Sequence, residues 1–255
     1  VATLVTFHAH PDDESIACGG VMRKAFEDGH RVILVVATRG EHGEVPDGFL
    51  AEGEPLWQRR VAETTAAAEI LGVARVEFLD YTDSGMVGEP TNDEPGSFWT
   101  APVGEAARKL AEILREEDAE VLTCYDDNGN YGHPDHIQVH RVGMRAAELA
   151  GTPRVFQATT SREHMIRGMA SMGGELPSEE QMANLGKPES EINTTVDVTP
   201  WVEYKRAAMR AHASQISEES FFLAMPDDQF GYVFGTEWFI RPGQEPGVTG
   251  DDLFK

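Results

Sequence analysis

The sequence predicts an α/β protein: a single-domain, Rossmann-like, largely parallel sheet flanked by helices. Three observations carry this. Apolar runs of strand length alternate with stretches of helix length through residue 158, a rhythm that implies right-handed βαβ crossovers. The strand-length runs are near-continuously apolar, as strands covered on both faces are. The chain has 255 residues and is 40% hydrophobic, ample for one core. No internal repeat and no dividing linker is visible, so residues 1–255 read as one domain.

The elements follow in order. "TLVTFHA" is a first buried strand, and "DESIACGGVMRKAFEDG" a helix with acidic residues at its start and Gly29 at its end. "RVILVVAT" is a second strand, followed by a Gly/Glu/Pro-rich segment from Arg39 to Pro55. "LWQRRVAETTAAAEILG" is a helix whose stripe is Trp57, Val61, Thr65, Ala68 and Leu71, closed by Gly72. "ARVEFLD" is a third strand before a second long loop. "GEAARKLAEILREE" is an amphipathic helix with Ala106, Leu110, Ile113 and Leu114 on one side. "AEVLTCY" is a fourth strand, a helix ends near Gly151, and "PRVFQAT" is a fifth strand. Ser161 to Glu191 is polar and Met-rich, a loop of the kind that covers sites. "INTTVDV" reads as a strand, "WVEYKRAAMRAHASQI" as a helix and "GYVFGTEWFIR" as a last strand. Residues 242–255 read as a flexible tail.

Composition narrows the function. A net charge of −23 repels phosphate backbones and anionic membrane surfaces, so a nucleic-acid partner is not expected. No window of about 18 apolar residues offers a membrane span. The first residues lack a basic region before the apolar run, unlike a signal peptide. Cys18 and Cys124 are the only cysteines, which argues against a disulfide framework and suits a reducing, cytoplasmic setting.

Two short stretches concentrate the chemistry: "FHAHPDDES" at residues 7–15 and "NYGHPDHIQVH" at residues 130–140. Each directly follows a predicted buried strand. In open α/β sheets ligands bind beyond the carboxyl ends of strands, so the two stretches are expected to share one site. His10, Asp13 and His136 offer two imidazoles and a carboxylate, the three-ligand pattern of a catalytic metal. Zinc suits this set, and Fe2+ accepts it too. Asp12 is then a carboxylate free to take a proton from water. His133, one helical turn before His136, is placed to act as an electrophile or acid. Asp135 can accept from an imidazole and fix its tautomer. His136 and His140, four apart on one helix face, form a rival ligand pair without the Glu of an H-E-x-x-H motif. His8 reads as a packed, hydrogen-bonded histidine.

With "AHPDDES" and "YGHPDH" in place, the chain resembles the LmbE-like, or PIG-L-type, zinc deacetylases. These hydrolyse N-acyl groups from amino sugars and related amides. The resemblance implies zinc on His10, Asp13 and His136, with Asp12 as general base. It implies His133 as oxyanion stabiliser or proton donor, with Tyr131 assisting catalysis and substrate binding. Further matching segments imply substrate contacts: "TRGEHGEV" through Glu41 and Glu44, "RRVAET" through Arg60, "DSGM" through Asp83, and "HASQ" through His212. His212 also reads as a core histidine on the stripe Trp201, Ala208, His212, and Glu41 and Glu44 as a charged loop. The implied partner is a small amino sugar or glycoconjugate, handled by a monomer or a homo-oligomer. Relatives include the deacetylase and the S-conjugate amidase of the mycothiol pathway. The amidase group carries a lysine where "IACGG" follows here, which favours the deacetylase reading.

Overall fold

The computed structural model describes residues 1–171, 178 and 182–255. Its centre is one seven-stranded sheet built from β1 (Thr3–His8), β2 (Arg31–Val36), β3 (Arg75–Phe78), β4 (Val121–Tyr125), β5 (Arg154–Thr159), β6 (Thr194–Asp197) and β7 (Thr236–Ile240). The strand order is β3-β2-β1-β4-β5-β7-β6. Strands β1 to β5 pair in parallel, while β7 runs antiparallel to both β5 and β6. Every residue of β1 and β4 is buried, as central parallel strands require.

Helices cover both faces. On one lie α1 (Asp13–Ala17), α2 (Gly19–Glu27), α3 (Leu56–Leu71) and a late helix, Val202–Ala211. On the other, α4 (Val103–Glu116) packs on α6 (Pro134–Ala150), with the short turn α5 (Gly129–Gly132) before it. In chain order α7 is Arg162–Ser171, α8 is the Val202–Ala211 helix, and α9 is Asp227–Phe234. The predicted face of α4 is the buried one: Ala106, Leu110, Ile113 and Leu114 all enter the main core. Among the described residues no helix is long and apolar enough to cross a membrane.

The structure departs from the sequence reading in four places. The helix expected after β1 breaks at Cys18 into α1 and α2. The first turn of α2 is capped from a distance, because Gly20 and Val21 donate their backbone N–H groups to Glu237 of β7. The buried face of α3 is rotated from the expected stripe. Trp57 is 43% exposed, whereas Arg60 and Glu63 point inward. These polar residues go inside because they have partners there, Glu63 receiving the N–H and the hydroxyl of Ser214.

The expected strand "GYVFGTEWFIR" is strand only from Thr236 on; Asp227–Phe234 is helical. Phe230 and Phe234, four residues apart with ring centroids 4.6 Å from each other, pack with Met209, Ile216, Leu223 and Met225 in a second core. That packing overrides the β preference of the aromatic and β-branched residues. The tail, expected to be flexible, is pinned. Gly250 pairs with Asn193 and Thr195, Leu253 is buried, and Phe254 stacks on His30 at 3.8 Å. Of the polar stretch 161–191, residues 172–177 and 179–181, on which the covering-loop expectation falls, lie outside the described residues.

Candidate active site

The sheet order reverses between β1 and β4: the chain moves outward through β2 and β3 on one side and through β5 on the other. The two strands are in register, Thr6 opposite Thr123, so the loops at their carboxyl ends open into one crevice. Both His/Asp stretches lie there.

The second stretch starts a helix. His133 is the N-cap of α6, Pro134 follows at the first helical position, and the Asp135 N–H donates to His133 Nδ1 at 3.1 Å. Because Nδ1 accepts, the neutral ring carries its proton on Nε2, an assignment that follows from the hydrogen bond. Burial and the neighbouring His10 and His136 rings push the His133 pKa down to about 4. His133 is therefore a neutral donor. Gly129 lets the loop after β4 pass close to α6: a Cβ there would meet His136 Cβ at 2.5 Å.

The first stretch turns more sharply. Asp12 has φ of 101°, in the left-handed region that non-glycine residues rarely occupy. Its N–H donates to Glu14 Oε2 at 3.0 Å. Glu14 is fully buried, and its Oε1 lies 2.6 Å from Ser15 Oγ and 2.6 Å from His212 Nε2. Burial works to raise the Glu14 pKa, but His212 outweighs it and holds the carboxyl below its ordinary range. From the same segment as His212, Gln215 donates to the Pro11 carbonyl at 2.7 Å.

His10, Asp13 and His136 come together. Their ligand atoms lie within 4.8 Å of one another. Asp13 Oδ2 is 3.4 Å from His10 Nδ1 and 3.2 Å from His136 Nε2. Ligands about 2.0–2.1 Å from a tetrahedral ion stand about 3.3 Å apart. His136 Nε2 is buried and makes no hydrogen bond, which leaves its lone pair for an ion. The chemistry also fits: Asp12, Asp13, Asp83 and Asp135 crowd one imidazole pair, and a divalent cation balances that charge. A second group, His10, Asp83 and His133, is equally compact, but His133 Nδ1 is already occupied by the Asp135 N–H. His140 turns away, its Nδ1 on the Tyr125 carbonyl at 2.9 Å. His8 is buried and bonds the Tyr125 hydroxyl at 2.8 Å.

Asp135 Oδ2 lies 3.1 Å from His10 Nε2 and accepts the Ser84 N–H at 2.9 Å. Asp83 Oδ1 is 3.4 Å from the same His10 nitrogen. Burial works to lower the His10 pKa, but Asp13, Asp135 and Asp83 outweigh it and hold it well above the ordinary value. Burial and then Asp13 push the Asp12 pKa up to about 8, with His212 and His10 pulling the other way. A cation in the cluster pulls in that same direction. Tyr131 is 44% exposed beside His136, ring centroids 4.9 Å apart, and burial of its hydroxyl end raises its pKa.

Other residues proposed for substrate contact sit elsewhere. His212 is sealed in the interior and reaches Glu14, not the crevice, because an imidazole bonded to a buried carboxylate has no surface left to offer. Arg60 is 2% exposed, and its guanidinium donates to the Gly40 and Glu44 carbonyls, holding the loop after β2 from within. The Glu41 carboxylate receives the N–H groups of Asp83 and Arg39, joining two loops. Glu44 contributes its carbonyl to Arg60 and is itself exposed. Asp83 is at the cluster. Glu14 is the residue that the sequence reading missed. Only its place after two aspartates marked it, and nothing local shows that it is buried.

Residues 5–147 match the model of the family PIG-L, GlcNAc-PI de-N-acetylase. The chain is 38% identical to a 1D-myo-inositol 2-acetamido-2-deoxy-alpha-D-glucopyranoside deacetylase of Thermomonospora curvata, over 94% of each chain. Among solved structures it is similar to the N,N'-diacetylchitobiose deacetylase of Pyrococcus horikoshii, with a TM-score of 0.60, 23% identity, and 94% of this chain and 83% of that one covered. It is also similar to a 4-carboxy-2-hydroxymuconate hydratase of Pseudomonas putida, with a TM-score of 0.63, 20% identity, and 98% and 99% covered. At these identities the structural likeness shows the fold alone, and the fold carries more than one reaction. The match over most of its sequence, together with both His/Asp motifs, shows that this chain belongs to the PIG-L family.

Proposed function

We propose that the protein hydrolyses the N-acetyl amide of a glucosamine-bearing glycoside, using zinc held by His10, Asp13 and His136. The observation that carries this reading is Asp12: a carboxylate outside the ligand triad, held next to it in a strained turn. The relatives at 38–40% identity are named as deacetylases of an acetamido sugar linked to inositol, which supports the substrate class.

His10, Asp13 and His136 would hold a divalent ion, which when bound would supply Lewis acidity toward the amide carbonyl and the water. Asp12 takes the proton of the attacking water. Tyr131, protonated and half-exposed beside His136, donates to the carbonyl oxygen as it gains charge. His133 holds its Nε2–H toward the departing nitrogen as a hydrogen-bond donor, and Asp12 passes to that nitrogen the proton it took from the water. Asp135 fixes the His10 ring by accepting from Nε2.

The test is release of free amine from N-acetylglucosaminyl-inositol, N-acetylglucosamine and chitooligosaccharides. Activity on one of them should vanish on chelation and return on adding zinc. Zinc-loaded protein that binds the metal yet releases no amine from any of the three would defeat the proposal.

A further inference from the structure

We propose that Arg162 is a positioning residue for Tyr131, acting through residues 183–187. This rests on the role given to Tyr131 above. It gives a task to a cation that no step of the proposed reaction touches.

Tyr131 packs against the His136 ring, centroids 4.9 Å apart, and is otherwise half-exposed. The course of its backbone therefore decides where its hydroxyl stands. That backbone is strained. Asn130, just before it, has φ of 66° and ψ of −45°, outside the regions that residues with a side chain prefer. Such a conformation persists only where its surroundings over-determine it. The Asn130 side-chain oxygen adds nothing, being buried without a hydrogen bond. Other groups hold the peptides on either side. Asp126 Oδ1 accepts the Asn130 N–H at 2.9 Å and the Asn128 N–H at 3.0 Å, and its Oδ2 receives the Thr159 hydroxyl of β5 at 2.6 Å. The Asn130 carbonyl receives the Gly186 N–H at 2.6 Å. The Asn128 side-chain amide donates to the Asn184 carbonyl at 2.9 Å. The helix start at His133 caps itself, whereas residues 128–130 before it lean on residues 184 and 186.

Residues 184–187 lie in neither helix nor named strand, and Arg162 gathers them. Its Nε donates to the Leu185 carbonyl and its Nη2 to the Ala183 and Gly186 carbonyls, each at 3.1 Å. Three acceptors converge on one planar fork, which a lysine cannot reproduce. Arg162 stands in the first turn of α7, where a cation opposes the helix dipole, so helix stability does not account for it. The backbone ties the two segments together as well. The Lys187 N–H donates to the Thr160 carbonyl at 2.9 Å, and the Arg162 N–H to the Lys187 carbonyl at 3.0 Å. Gly186, at φ of 54°, permits this approach, because a Cβ there would collide with the Thr160 carbonyl. The path to the tyrosine is continuous. The guanidinium holds the Gly186 carbonyl, the Gly186 N–H holds the Asn130 carbonyl, and the next residue is Tyr131.

The experiment measures kcat and KM of the zinc-loaded protein on N-acetylglucosaminyl-inositol for Arg162→Ala, Tyr131→Phe and the double variant. Amide hydrogen exchange of the loop around Tyr131 is followed in the same proteins. Arg162→Ala should lower kcat roughly tenfold, with KM and zinc content near wild type, because a misplaced donor is felt in the transition state. In Tyr131→Phe, which has no hydroxyl to misplace, the same substitution should change kcat by less than about twofold. Exchange of the Asn130 and Gly186 amides should quicken at least about tenfold in Arg162→Ala, while β4 stays protected. Should Arg162→Ala fail to fold, Arg162→Gln, which keeps one donor group, carries the same comparison. An unchanged kcat, a loss of equal size in both backgrounds, or unchanged exchange around Tyr131 overturns the proposal. No cleavage by the wild-type protein defeats the hydrolase reading instead, and exchange alone then decides. Faster exchange around Tyr131 upholds the hold of Arg162 on that loop, and unchanged exchange overturns it.

Discussion

After β4, His133-Pro134-Asp135 makes an ordinary helix start: a side-chain cap, a proline at the first position, and a backbone N–H received by the cap two residues back. After β1, His10-Pro11-Asp12 uses the same three residue types and does something different. Asp12 sits at φ of 101°, and its N–H is held by Glu14, which is in turn held by His212 nearly two hundred residues away. The second turn is stabilised by its own residues. The first is strained and braced from another part of the chain. Strain of this kind costs of order 1–3 kcal/mol and persists only where its surroundings over-determine it. The difference runs parallel to the proposed roles: the braced turn carries the proposed base, and the self-sufficient turn carries His133, the proposed donor.

The largest expected effect comes from Asp12. Asp12→Asn should lower kcat by roughly 10²–10⁴ while metal binding stays near wild type, because one positioned acid/base group is lost and the ligand triad is not. Kinetics together with metal analysis of the purified variant check this; near-normal kcat would remove Asp12 from the mechanism. Asp12→Gly sharpens the comparison. It should be as inactive, yet more stable by about 1 kcal/mol, since glycine adopts the left-handed conformation freely. A less stable glycine variant would mean that the turn is not strained.

The brace itself comes next. Glu14→Gln breaks a buried ion pair and leaves His212 without its carboxylate, which typically costs about 3–5 kcal/mol. For a chain of this size that lowers Tm by about 2–4 °C per kcal/mol. Adding His212→Gln should recover part of the loss, because no imidazole is then stranded. Thermal unfolding of the two single variants and the double variant measures the coupling. Additive losses would show that Glu14 and His212 do not act as a unit.

This contrast also explains what could be read from the sequence. The parallel sheet, the switch point between β1 and β4, and the ligand and acid/base candidates all lie in local signals: apolar runs, and His, Pro and Asp at fixed spacing. What escaped depended on distant partners. Glu14 is next to Asp13 in sequence, but its buried partner is His212, far along the chain. Arg60, expected at the substrate, and Glu63 of the same helix are buried because the Gly40 and Glu44 carbonyls and Ser214 hold them from within. Helix α9 was hidden by residues of high strand preference, and only the second core, absent from any local window, makes Phe230 and Phe234 helical neighbours. The tail is a similar case: Pro and Gly suggest looseness, while Leu253 and Phe254 dock on elements far away in sequence.

The smallest effect tests the self-sufficient turn. His133→Ala removes the cap of α6 and should cost about 1 kcal/mol, the usual value for losing an N-cap side chain. His133→Asn keeps a side chain that accepts the N–H of the first turn, so it should restore most of that stability. It carries no imidazole, so it should not restore the rate. Melting temperatures of the two variants, set beside their kcat values, separate the two jobs of one residue. If the asparagine variant is as unstable as the alanine one, the turn after β4 is also held from outside, and the contrast with the turn after β1 disappears. If it recovers both stability and rate, His133 is a cap alone, and the departing nitrogen needs no hydrogen bond from its ring.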